Sequence, residues 1–183
     1  MTAIDVLEAD HRRVEELFGR FERSGRRALI TKRALVDAMI TELSVHAAIE
    51  QAVLYPVARA EVPESEAAVL EALEEHHVLA WQLQELYGLD PGDERFDPRV
   101  AVMTEFVRQH QREEEELLFP ELRTHLGHDR LVDLGRELQD LRSTVPSRPP
   151  VHHPGTPGGN RLTGAVAHAL DAAKRLVRIG LGG

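Results

Sequence analysis

The sequence predicts an all-α protein: an up-down-up-down four-helix bundle with a shorter fifth helix, then a linker and a tail helix. Three observations predict it. Ala, Leu, Glu and Arg abound while aromatics make up 4% of the 183 residues, a composition that favours helix. No run of alternating β-branched residues bounded by turn signals marks a strand. Apolar residues recur instead at spacings of three and four.

The first helix should cover about residues 2–23, with Ile4, Leu7, Val14, Phe18 and Phe21 on one stripe and Ser24-Gly25 as its stop. The second runs from about 30 to 61 behind Leu35, Met39 and Leu43. Pro56 inside it should bend it or cost a backbone hydrogen bond. The third follows Pro63 over about 65–87, with Val69, Leu73, Leu79, Leu83 and Leu86 inward. A connection rich in Gly, Pro and Asp leads to the fourth, which starts near Pro98, carries Val100, Met103, Val107 and Leu117, and reaches about 125. The fifth spans about 128–143. Residues 1–143 form the bundle domain, 144–161 a Pro/Gly-rich linker, and 162–183 an amphipathic basic tail whose helix ends near 179. That tail suits docking on the chain's own bundle, on a partner protein or on an anionic membrane surface.

Composition excludes several functions. Without cysteine there are no disulfides, thiolate metal sites or cysteine nucleophiles. The formal charge of −9 argues against nucleic acid as partner of the body. No apolar stretch approaches a membrane span and no signal peptide is recognisable, so a cytoplasmic location is expected. Hydrolase, phosphate-loop and dinucleotide motifs are missing.

The informative residues are polar ones on core positions. The apolar stripes place His11 in the first helix, His46 and Glu50 in the second, His76 in the third, and His110 and Glu114 in the fourth. A His and a Glu four residues apart share one helix face. One such pair, or one core histidine, is commonly an ordinary side-chain contact. Two pairs in register, with single histidines on the other two helices, are different. Six buried polar groups at one level cost several kcal/mol unless they share a partner, and a pair of metal ions supplies one. Imidazole with carboxylate suits iron or manganese better than structural zinc.

The spacing indicates an internal duplication: His11 precedes His46 by 35 residues and His76 precedes His110 by 34, and Asp10 and Glu75 each precede the single histidine. This alignment selects His76 over His77, which lies about 100° off the stripe; His77 is expected to be partly exposed or packed behind the ligands, and is kept as a candidate extra ligand. In the run Glu113–Glu116 only Glu114 is expected to face inward. His125, His128, His152, His153 and His168 read as surface residues.

The doubled His-x-x-x-Glu, continuing as Leu54-Tyr55-Pro56 and Leu118-Phe119-Pro120, resembles the hemerythrin-like (HHE cation-binding) family over about residues 1–142, and the tail is similar to those of bacterial, especially actinobacterial, members. The resemblance implies a non-haem di-iron centre (Fe–O–Fe) in a four-helix bundle. His11, His46, His76 and His110 would be terminal ligands and Glu50 and Glu114 bridges; ligand type alone equally allows manganese. Oxygen-carrying members have a further histidine four residues away on the third helix. Here those positions are Ala72 and Ala80. Tyr55, whose counterpart is Phe119, is the candidate replacement, provided Pro56 distorts the helix. The implied activity is binding or turnover of oxygen, hydrogen peroxide or nitric oxide in oxidative or nitrosative stress, with catalase-like peroxide removal as the candidate enzymatic reaction. The alternative is an iron- or oxygen-sensing module signalling through its tail helix.

Overall fold

The structure, a computed structural model, describes residues 1–147. Helix α1 (Ala3–Glu22) begins with a capping box. The Thr2 hydroxyl accepts from the Asp5 N–H while the Asp5 carboxylate accepts from the Thr2 N–H, satisfying donors that a helix start leaves open. The second long helix is α2 (Leu29–Ile49), a π turn (Glu50–Leu54) and α3 (Tyr55–Glu61) end to end; α4 (Glu66–Tyr87) follows. The fourth is α5 (Phe96–Glu113), a second π turn (Glu114–Leu118) and α6 (Phe119–His125), and α7 (His128–Arg142) is the fifth. The sequence-predicted order holds, and among the described residues there is no strand.

Polar pairs fix the topology. Arg13 meets Glu42 and Asp10 meets His46; Arg33 donates to the Leu86 carbonyl and Arg59 pairs with Glu66. Arg99 pairs with Glu85 while His110 meets Glu75, and Arg108 pairs with Glu15 while Arg123 pairs with Glu8. At each interface numbering rises on one helix as it falls on the other, so four antiparallel neighbours close into a ring. Most of these pairs are at least partly exposed and contribute little stability. The core does more, in two apolar clusters. One holds Val14, Phe18, Met39, Leu43, Leu83, Phe96 and Val107. The other gathers Ile4, Leu7, Ile49, Leu54, Phe119, Leu122, Leu134 and Leu138. Helix α7 runs beside α1 and approaches it closely: a Cβ on Gly135 would lie 2.6 Å from the Met1 carbonyl oxygen.

The two π turns are what the sequence reading did not resolve. A proline cannot donate to the carbonyl four residues back, and its ring collides with that carbonyl in a regular helix. Ahead of Pro56 the Tyr55 N–H bonds the Glu50 carbonyl, and ahead of Pro120 the Phe119 N–H bonds that of Glu114, each a five-residue span. The helix widens over one turn instead of breaking. The extra residue changes which side chains face inward, which corrects one expectation: Leu117 is 63% exposed, and Leu118, at 6%, takes the core position. The linker beyond residue 147 and the tail helix over 162–183, with His152, His153 and His168, lie outside the described residues. Among the described residues no helix is long and apolar enough to cross a membrane.

Candidate metal centre

The six polar residues lie at one level between the apolar clusters, and all are buried. His11, His46, Glu50 and Glu114 offer ligand atoms within 4.8 Å of one another, and so do Glu50, His76 and His110. The imidazoles enter in facing pairs. His11 Nε2 stands 3.3 Å from His46 Nε2, and His76 Nε2 stands 3.2 Å from His110 Nε2. The carboxylates join the pairs: Glu50 Oε2 is 3.2 Å from His46 Nε2 and 3.5 Å from His76 Nε2, and Glu114 Oε2 is 3.5 Å from both His11 and His110 Nε2. Each glutamate therefore touches one histidine of each pair.

The protein leaves the inner atoms short of partners. Among the described residues neither Glu50 oxygen has a hydrogen bond, nor has Glu114 Oε2. Buried carboxylate oxygens are expensive to leave unpaired, and between two facing imidazole nitrogens only one proton can sit. A cation placed between the nitrogens and the glutamates satisfies all of them, so the donor set fits a pair of metal ions.

Protonation follows the same geometry. Burial, then the neighbouring Glu114, pushes the Glu50 carboxyl well above its usual range. Burial also opposes the charge on Glu114, but His110 and His11 outweigh it and keep that carboxylate ionised. Burial, followed by His110, holds His76 well below 6.5, leaving it neutral with a free lone pair. For His11, burial is outweighed by Glu114 and Glu115; for His110, by Glu114 and Glu75. Both lie above 6.5, so a metal ion has to displace their protons.

On the outer side each imidazole is held at Nδ1, which directs Nε2 inward. Asp10 accepts from His46 at 3.4 Å and Glu75 from His110 at 2.7 Å. Glu115 accepts from His11 at 2.6 Å, and the Gln51 amide meets His76 at 3.0 Å. These residues repeat with the duplication. The acid before each single histidine orients the paired histidine of the same hairpin, and the residue after each core glutamate orients the single histidine of the other. The shared acids at 10 and 75 were visible in the sequence without a role attached. Glu115 corrects the expectation that only Glu114 of its run faces inward: half exposed, it reaches His11 because the π turn starts at Glu114.

The aromatic after each π turn distinguishes the halves. Phe119 stacks on His11, with ring centroids 5.9 Å apart. Tyr55 lies against His76, its hydroxyl donating to Glu114 Oε1 at 2.8 Å and standing 3.4 Å from His76 Nε2. The π turn is the distortion that brings Tyr55 to the centre. His77 does not join it: its side chain is 56% exposed and pairs with Glu74, as its angle off the stripe implies, which removes it as a ligand or a residue behind one. His125 and His128 are on the surface.

A four-helix bundle with two His/Glu groups at mid-height defines a class of metal-binding helical proteins. The chain belongs to the hemerythrin HHE cation binding domain family, whose model matches residues 2–122. It is similar to a DNA nickase of Nostoc sp. (strain PCC 7120 / SAG 25.82 / UTEX 2576), 26% identical over 148 residues, or 81% of this chain and 41% of that protein. The chain thus spans about two fifths of that relative's length. A solved hemerythrin HHE domain-containing protein from Mycobacterium kansasii, the Rv2633c homolog, shares the fold with a TM-score of 0.68 and 21% identity, over 78% of this chain and 86% of that one.

Proposed function

We propose that this protein holds two iron ions and uses them to bind or turn over a small oxidant, with hydrogen peroxide the first substrate to test. One observation carries the reading: Glu50 belongs to both metal-binding groups, and among the described residues neither of its oxygens has a hydrogen-bond partner. His11 and His46 would be terminal ligands of one ion, His76 and His110 of the other, with Glu50 and Glu114 spanning both. Tyr55 supplies the ligand position, or the hydrogen-bond donor, that the alanines at 72 and 80 cannot. Iron, when bound, supplies Lewis acidity and reversible one-electron chemistry.

The chain's own part is to orient and enclose. The Nδ1 partners fix all four imidazoles, and the Tyr55 hydroxyl keeps a proton beside Glu114. Leu43, Leu79 and Val107, each at most 4% exposed, exclude bulk water and larger reductants from one side. The name of the Nostoc relative would make a nucleic acid the substrate. The charge of −9 works against binding a phosphate backbone, which favours the small oxidant. The sensing alternative needs the tail, which lies outside the described residues.

The test is oxygen evolution from hydrogen peroxide by the iron-loaded full chain, two peroxides giving one oxygen and two waters. Sustained evolution that disappears in Glu50→Gln is expected. Evolution no faster than that of free iron would overturn peroxide as the substrate.

A further inference from the structure

An arginine from beyond the matched domain reaches the surroundings of the centre. The family match ends at residue 122, yet α7 returns Arg142 to Asp10. Asp10 is 1% exposed and among the described residues has three partners: Arg13 on Oδ1, and Arg142 and His46 Nδ1 together on Oδ2. The duplication supplies an internal comparison. Glu75 occupies the equivalent place in the second half, and among the described residues its one ion pair is with His110. There the carboxylate accepts from Nδ1 at 2.7 Å; Asp10, shared with two guanidiniums, accepts at 3.4 Å.

A carboxylate behind a metal-binding histidine raises the basicity of the ligating nitrogen. A guanidinium on the same oxygen draws that charge away, and its planar, permanently charged fork does so strongly. We propose that Arg142 is a positioning residue that weakens the hold of Asp10 on His46 and so lowers the affinity of the His11/His46 side of the centre for its metal. The inference rests on the two-metal reading above. It gives α7 a task besides covering the apolar end of the bundle with Leu131, Leu134 and Leu138.

The experiment is anaerobic titration of the full chain with cobalt(II) alone, read by its visible bands and by competition with a chelator. Wild type should bind two ions. In Arg142→Gln one of the two should bind about tenfold more tightly, the low end of the effect of outer partners because Arg13 remains. Arg142→Lys, which keeps the charge, should stay near wild type. In an Asp10→Asn background the Arg142→Gln gain should vanish, a coupling that loss of helix docking would not produce. Should Arg142→Gln fail to fold, Arg142→Met, which keeps the packed stem, carries the same expectation. Unchanged or weaker binding in Arg142→Gln, or in Arg142→Met where that variant stands in for it, with two ions still bound by wild type, would overturn the inference. A wild type that binds no cobalt would instead overturn the metal centre itself.

Discussion

Replacing Glu50 with leucine should make the metal-free protein more stable and the metal-loaded protein relatively less so. Glu50 is 0% exposed, and among the described residues neither of its oxygens is hydrogen-bonded. An unsatisfied buried polar group costs about 1–3 kcal/mol, and an apolar residue of similar volume removes that cost. A gain of about 2 kcal/mol corresponds to about 4–8 °C in the midpoint of a domain this size. The sign with pH follows from the raised Glu50 carboxyl. Folded Glu50 keeps a proton that the unfolded chain releases near 4.5, so its contribution is intact below that pH and is lost as pH rises toward the folded value. The advantage of leucine should therefore widen from about pH 4.5 upward. Metal reverses the order: at a hundredfold excess over Kd, one site adds about 2.7 kcal/mol to wild type, and Glu50 belongs to both groups. Thermal melts of chelator-treated and iron-loaded protein, at several pH values, read all of this. A metal-free Glu50→Leu protein less stable than wild type, or one gaining as much from iron, would refute the reasoning.

Other substitutions probe separate parts. Tyr55→Phe removes the donor to Glu114 and makes the His76 side of the centre resemble the His11 side, where Phe119 packs; a loss of about 1 kcal/mol in the metal-free protein is expected, and a phenolate–iron absorption band that disappears would identify Tyr55 as a ligand. His76→Ala should remove about half the bound iron, whereas His77→Ala, at an exposed position, should change neither metal content nor melting by more than about 0.5 kcal/mol. Gly135→Ala should destabilise by about 1–3 kcal/mol, measured by urea unfolding, because its methyl would meet the Met1 carbonyl and the Thr2 backbone.

Much of this was legible in the sequence, for a physical reason. Helical periodicity reports which side chains share a face, so the six inward polar residues stood out against apolar stripes, and the duplication separated His76 from His77. Periodicity fails where the period changes. The π turns at Glu50 and Glu114 alter the register for one turn, which turned Leu117 outward and let Glu115 reach His11. Pro56 and Pro120 marked the places but not the solution, since a kink and a widened turn look alike in sequence. The outer partners were harder still. Asp10, Gln51 and Glu75 contact histidines on neighbouring helices, and Arg142 reaches Asp10 across 132 positions. Such pairings depend on tertiary packing that no local pattern encodes.

The central claim is that Glu50 and Glu114 join two metal sites, and metal stoichiometry tests it most directly. Anaerobic iron titration of the full chain, followed by desalting and metal analysis, should leave about two irons per wild-type chain and fewer than one in a Glu50→Leu, Glu114→Leu double variant that remains folded. One iron or none in wild type, or two retained by the double variant, would contradict the account.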